Sequence, residues 1–480
     1  MRKANIIKLI LLSLCTIIGL SCAVNPVTGR RQLMLVTEGQ EVAMGRTVNE
    51  EITGQYGLYD DPALQNYIKS LGQTLEPYVH RPQLEYHFAV LDTPVPNAFA
   101  APGGYVYLTR GILALMNSEA ELISVLGHEI GHISARHSVA RLSYGMVTEV
   151  VLGAASAVSE EFASFRDVAG LGTQLIFLSY SRRDEHEADD LAVEYSRKAG
   201  YSPLEMQSFF NTLERMSPSD GTRVPSFLST HPLSRQRIER IAELTSPEDR
   251  RLKVERDHYL QRIDGLIYGE NPRQGIIKNS TYYYPGLDLK LKIPSNWETQ
   301  YDRESLALST EDRQGIMLWE FVREPGDINN IHNNAVKEYS ALRIQEEGSI
   351  NIGGYPARFT RGVIQSGSSQ NDQQQYTLYL VTVQKANVFY RFSALMVNDA
   401  PKIWKDIQYH LHSFDTIKDS GIKNIRPRRI EVIQILNQEP LREIFRRLDY
   451  DQELWEETAI INAMELDTVP AANQLIKIIR

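Results

Sequence analysis

At 480 residues the chain is too long for one core, and at roughly 100–200 residues per domain it should fold as two to four domains. A hydrophobic content of 42% with 23% charged residues is that of a globular protein. The formal charge of -9 argues against nucleic-acid binding, which needs a basic face.

Arg2, Lys3 and Lys8 give a basic start, and Leu9 to Cys22 then run without a charge. This layout predicts a secretory signal over 1–21, too short to span a membrane comfortably. Cys15 lies inside it, so cleavage leaves Cys22 alone and no internal disulfide can form. Cys22 follows Leu20-Ser21, where a bacterial lipoprotein signal places its lipidated cysteine, although Gly19 stands where Leu is usual. The rival reading is simple cleavage near Ser21. Two acyl chains would give stable membrane attachment. Ala23, rather than Asp, favours the outer membrane by analogy with lipoprotein sorting.

Residues 22–36, with "NPVTGRR", read as a tether. Helical patterns follow over 37–53 and 62–75, the first with Thr37 and Gln40 at capping-box spacing. Leu84 to Asp92 alternates like a strand, and Asn97 to Gly111 reads as a strand pair broken at Pro102-Gly103-Gly104. Ser118 and Glu121 cap a helix whose buried face is Leu122, Val125, Leu126, Ile130 and Ile133. Gly145 to Leu178 reads as helical core packing, with a mobile cover as the sharper alternative. Helices follow at Pro203–Met216, with Ser202 as cap and Pro203 at the first turn, and at Ser234–Leu244. A Gly/Pro-rich link, Ile263 to Gly275, leads into a strand-rich region over 276–418 with a hairpin through Lys385-Ala386-Asn387. The last stretch, 428–480, reads as β-α-α-β.

The chemistry concentrates in "VLGHEIGHISARH". His128 and His132 lie one helical turn and about 40° apart on one face. Two such imidazoles can bind one zinc ion, with Glu129 beside them as general base for a water. A third ligand is needed. His137 is nine residues past His128, about 900° round an uninterrupted helix, and so faces away. Ser138 and Ala135 stand where the extended motif needs His and Gly, which leaves His137 a structural or surface histidine. The acid-rich stretch Tyr180 to Ser196 packs through Ala188, Leu191, Ala192 and Tyr195, but spacing does not choose among Glu185, His186, Glu187 and Asp189.

Four motifs, "NAFAAPGGYVYLTRG", "GHEIGH", "SRRDEHEAD" and "STHPLSRQRI", resemble those of the HtpX-like and CAAX-prenyl-endopeptidase-like zinc metallopeptidases, which are gluzincins. The resemblance runs from about Glu38 to Leu244 and is greatest to the periplasmic, BepA-like branch. It implies Zn2+ held by His128, His132 and Glu185, with Asp189 orienting a histidine ligand. It makes Glu129 the general base. His231 either stabilises the tetrahedral intermediate or fills the open metal position. Gly103, Gly104, Tyr105 and Val106 would form the strand edge that pairs with substrate backbone. Residues 429–480 are similar to a LysM domain, with Asn473 where glycine is common before the last strand. That similarity implies a glycan contact such as peptidoglycan.

Together these readings predict an α+β protein. A lipoprotein signal (1–21) and tether (22–36) precede a mainly helical zincin domain with a small sheet (37–265). An α/β sandwich of unknown task (276–418) and a small β-α-α-β LysM-like domain (428–480) follow. The expected function is a lipid-anchored periplasmic zinc endopeptidase, on the outer membrane, clearing misfolded or misassembled envelope proteins. The alternative is a non-enzymatic cell-wall-associated scaffold or chaperone whose zinc site is silent. An integral-membrane prenyl protease is disfavoured, because no long apolar run follows residue 22.

Overall fold

A computed structural model describes residues 22–144, 180–216, 226–232, 235–322, 325–366 and 374–480. The signal at 1–21 and the whole of Gly145–Leu178 lie outside the described residues. The chain forms two compact units, one from Met1–Glu270 with Arg428–Arg480, the other from Asn271–Pro427. Among the described residues no helix is long and apolar enough to cross a membrane.

In the first unit, β1 (Cys22–Val24) and β2 (Arg31–Leu33) pair antiparallel. The stretch expected as a loose tether is therefore folded, with Met34 and Val36 packed on Val139 and Ala140. Helix α1 (Glu38–Tyr56) starts at Thr37 with the reciprocal Thr37–Gln40 capping box the spacing predicts. Helix α2 (Pro62–Gln73) has Asp61 as cap and Pro62 in its first turn. Strands β3 (His87–Leu91), β4 (Ala98–Ala101) and β5 (Tyr105–Thr109) make one sheet in the order β3-β5-β4.

That order corrects one expectation. Strand β5 is central, parallel to β3 and antiparallel to β4, so both its edges are used. Tyr105 and Val106 cannot offer backbone to a substrate. Gly103 and Gly104 are turn residues with φ of +79° and +101°. A Cβ on Gly104 would stand 2.2 Å from the Glu85 carbonyl oxygen, so glycine serves close packing there. The sheet's other edge strand on this side is β4.

Helix α3 (Arg110–Leu115) leads to α4 (Glu119–Ser134), which is buried along its whole length. Helices α5 (Arg182–Lys198), α6 (Glu205–Arg215), α7 (Ser226–Thr230), α8 (Arg235–Leu244) and α9 (Arg256–Ile263) complete this part. Helix α6 begins two residues later than predicted. Pro203 and Leu204 form a preceding turn, and Leu204 caps without a side-chain bond.

The second unit is antiparallel. Strands β6 (Ile276–Lys278), β7 (Thr281–Tyr284) and β8 (Leu289–Lys292) form a small sheet. A seven-stranded sheet has the order β12-β13-β14-β15-β11-β10-β9. Its strands are β9 (Trp297–Tyr301), β10 (Ser305–Thr310), β11 (Gly315–Val322), β12 (Arg343–Ile352), β13 (Tyr355–Ser366), β14 (Gln374–Lys385) and β15 (Val388–Val397). The hairpin predicted through Ala386 joins the last two, with Ala386 at φ +54°. Helices α10 (Ile328–Lys337), α11 (Pro401–Leu411) and α12 (Ser420–Lys423) accompany these sheets, whose core gathers around Trp319, Phe392 and Phe414.

The terminal stretch has the predicted β-α-α-β order: β16 (Ile430–Gln434), α13 (Leu441–Arg447), α14 (Trp455–Ile461) and β17 (Leu475–Ile479). It is not a separate body. Ile430, Ile461 and Ile479 belong to the same core as Leu122, Val125 and Leu126 of α4. Lys477 is fully buried and its Nζ donates to the carbonyls of Ala114 and Met116 at 2.9 and 2.8 Å. Those carbonyls lie at the C-terminal end of α3, and burial holds the Lys477 amine well below its ordinary pKa.

Candidate metal centre

Ser118 Oγ accepts the Glu121 amide at 3.1 Å and starts α4 as predicted. The reciprocal half of the box is absent, because Glu121 Oε2 takes the Asn117 amide instead. The helix ends at Ser134. Arg136 then adopts a left-handed φ of +58°, its amide donating to the Ile133 carbonyl at 3.1 Å. This is a helix-terminating turn made without glycine. It holds because the Arg136 guanidinium bonds Glu41 and the Val36 carbonyl.

Ser181 and Asp184 cap α5 reciprocally. Helices α4 and α5 meet backbone to backbone, Gly127 against Ala192 and Gly131 against Ala188. Glu185 and Asp189, one turn apart on α5, thereby face His128 and His132.

The donor atoms converge. His128 Nε2 lies 3.1 Å from His132 Nε2 and 3.2 Å from His231 Nδ1. Glu185 Oε1 lies 3.0 Å from His231 Nδ1 and 3.6 Å from His132 Nε2. All four residues are buried, and their donors lie within 4.8 Å of one another. A tetrahedron with metal–ligand bonds of about 2.0–2.1 Å has edges of about 3.3 Å. The measured separations cluster around that length, so the donor set fits zinc.

The electrostatics agree. Glu129, Glu185 and Asp189 are buried with one buried guanidinium, Arg237, which leaves two negative charges when the acids are ionised. Burial opposes charge on His128, yet Asp189 and Glu185 outweigh it and bring its pKa up to about 9. The site thus draws positive charge inward. Burial and the neighbouring His128 hold His132 well below its ordinary value, as the neutral imidazole a metal needs. Burial lifts the Glu129 carboxyl, the direction that suits a general base. Neither Glu129 oxygen has a hydrogen-bond partner among the described residues, a costly arrangement in a buried carboxylate, and His231 Nε2 faces it at 3.5 Å.

The residues expected at the site, His128, Glu129, His132, Glu185, Asp189 and His231, are brought together. Asp189 Oδ1 lies 3.0 Å from His128 Nδ1, the contact that orients a ligand imidazole. His137 corrects the helical-phase reading. It is buried, with Nδ1 2.9 Å from His132 Nδ1, because the left-handed turn at Arg136 swings it back to the site.

Two further residues had no signal in the spacing. The Tyr180 ring stacks on His132 at 3.8 Å, and its hydroxyl shares a 2.8 Å hydrogen bond with Ser138 Oγ. Arg237 forks onto Asp189, Nε to Oδ2 and a terminal nitrogen to Oδ1, both at 2.7 Å. Its other nitrogen lies 2.8 Å from Glu185 Oε2.

Residues 62–245 match the model of peptidase family M48. That segment contains the whole donor group. A 210-residue stretch is 30% identical to the beta-barrel assembly-enhancing protease of Escherichia coli (strain K12), covering 42% of each chain. The mitochondrial metalloendopeptidase OMA1 of Schizosaccharomyces pombe is 29% identical over 234 residues, 45% of this chain and 65% of that one. The metalloprotease YcaL of Escherichia coli (strain K12) is 32% identical over 160 residues, 33% of this chain and 61% of that one. The chain thus spans less than half the length of the first of these relatives.

Proposed function

We propose that the chain is a zinc endopeptidase of the bacterial envelope, hydrolysing peptide bonds in misfolded or misassembled envelope proteins. The observation that carries this is the convergence of His128, His132 and Glu185 beside a Glu129 carboxylate that has no hydrogen-bond partner among the described residues. Zinc, when bound, supplies a Lewis acid that polarises the scissile carbonyl and acidifies the attacking water. Glu129 takes the proton of that water and returns it to the leaving amine. Asp189 and Arg237 hold the ligands in register. The β4 edge, Ala98–Ala101, replaces β5 as the strand to which an extended substrate would add. The name of the Escherichia coli protease links that relative to β-barrel assembly, which makes outer-membrane β-barrel proteins the substrate class of this proposal.

One observation favours a closed resting state. Catalytic zinc sites keep three protein ligands and an open position, whereas here His231 Nδ1 stands as a fourth donor. In this reading His231 caps the resting site and withdraws when substrate arrives. A permanently closed site would make the chain a silent scaffold. Casein cleavage by the full chain separates these readings. Glu129→Gln should keep zinc and lose cleavage, and undiminished cleavage removes the mechanism. His231→Ala should raise basal cleavage. Absent chelator-sensitive cleavage in both wild type and His231→Ala favours the scaffold.

The same reading places the protein in the periplasm, anchored through a lipidated Cys22 to the outer membrane. Cell fractionation of Cys22→Ala should move it to the soluble fraction, and retention in the membrane ends the anchor proposal. The LysM-like stretch over 428–480 would add contact with peptidoglycan.

A further inference from the structure

His132 presents Nε2 to the other donors and Nδ1 to His137, at 2.9 Å from His137 Nδ1. Only one of those two facing nitrogens can carry the proton. On the far side of His137, Nε2 faces Glu187 Oε2 at 3.7 Å and Asp184 Oδ1 at 3.8 Å. Two carboxylates favour the His137 proton at Nε2. Its Nδ1 is then an acceptor, His132 donates from Nδ1, and His132 Nε2 is left as a bare lone pair for the metal.

Glu187 is itself held in place. Asn25 Nδ2 donates to Glu187 Oε1 at 3.1 Å and contacts the Ala135 carbonyl at 3.4 Å. Asn25 Oδ1 accepts the amides of Val27 and Thr28 at 2.8 and 3.1 Å, which fixes the orientation of the side-chain amide. Asn25 is 4% exposed and lies in the turn between β1 and β2, three residues past Cys22.

We infer that Asn25, Glu187 and His137 form a positioning relay that fixes the tautomer and orientation of the ligand His132. The segment directly after Cys22 thereby sets the affinity of the metal centre. Asp189 makes the matching contact to His128 from within α5. For His132 that contact comes from His137, which Asn25 steadies through Glu187 from a segment over a hundred residues away in sequence. The inference rests on the zinc-site reading and concerns residues that touch neither metal nor substrate.

The test is zinc affinity of the full chain, measured by competition with a chromogenic chelator, alongside melting of the metal-free protein. His137→Leu and Glu187→Gln should weaken zinc binding by about 10–100-fold without a matching loss of metal-free stability. His137→Asn, whose amide oxygen can stand where Nδ1 does, should recover most of that affinity. Asn25→Ala should weaken binding by a smaller factor. Gln32→Ala removes another bond to the Ala135 carbonyl and a 3.4 Å contact from Asn25 Nδ2, but keeps the shorter 3.1 Å Asn25–Glu187 bond, and should leave affinity unchanged. Wild-type affinity in both His137→Leu and Glu187→Gln overturns the relay. So does a Gln32→Ala loss equal to that of Asn25→Ala, which would mark general docking. If the wild-type chain itself binds no zinc, the metal-centre reading falls instead. Should His137→Leu fail to fold, Glu187→Gln and His137→Asn still decide the question.

Discussion

Arg237 shows how much of the site hangs on a residue that carries no chemistry. Burial opposes its charge, but Asp189 and Glu185 outweigh that and raise its pKa. It also reaches the carbonyls of His231 and Pro232, at 3.4 and 3.3 Å, so one guanidinium ties both acids to the loop bearing His231. Arg237→Leu would strip the guanidinium from two buried carboxylates and leave only the site's histidines beside them, at a cost of about 3–5 kcal/mol. Urea unfolding of the metal-free chain should show that loss. Arg237→Lys should not recover it, because an ammonium cannot fork onto a carboxylate. A metal-free Arg237→Leu chain as stable as wild type would refute this account. Arg237 lies four residues before Ile241, and both are buried, so its placement on the inner face of α8 follows helical periodicity. Its partners do not, because they come from α5, about fifty residues earlier.

Among elements, the α4–α5 contact decides the metal centre. A Cβ at Gly131 would lie 3.2 Å from both the Cα and the carbonyl oxygen of Ala188, and one at Gly127 would lie 3.3 Å from the Cα of Ala192. Small residues on both helices let the backbones approach until Glu185 reaches the histidines. Gly131→Val should push the helices apart, costing about 1–3 kcal/mol in stability and weakening zinc binding. Thermal unfolding and chelator competition would check both effects, and a variant unchanged in each would remove this role. The starts of α1 and α4 are legible at Thr37 and Ser118, because a cap is a local bond. The end of α4 is not. Arg136 occupies the left-handed position that sequence assigns to glycine, and it is held there by Glu41 and the Val36 carbonyl, about a hundred residues away. Extending the helix through it sent His137 to the wrong side.

At the scale of the molecule, the second unit, Asn271–Pro427, interrupts the first, and 428–480 returns to complete the peptidase core. Ile430, Ile461 and Ile479 fill the core that holds α4, and Lys477 closes α3. A chain ending at 427 should lose these contacts and melt at a markedly lower temperature, with its peptidase unit open to proteolysis. Circular dichroism and limited proteolysis would test this, and an undisturbed peptidase unit would restore the independent terminal domain expected from sequence.

The starts of α1, α2 and α4, the strand-rich middle, the β-α-α-β ending, and the pairing of His128 with His132 around Glu129 are all legible in the sequence. Each of these rests on periodicity or on bonds within a few residues. Only the tertiary structure decided which strand is central, where His137 points, that His231 stands among the donors, and that the segment after Cys22 reaches the site. Those outcomes depend on contacts between segments far apart in the chain. Their geometry is set by close packing and by the pairing of buried charges, and neither leaves a local pattern in the sequence.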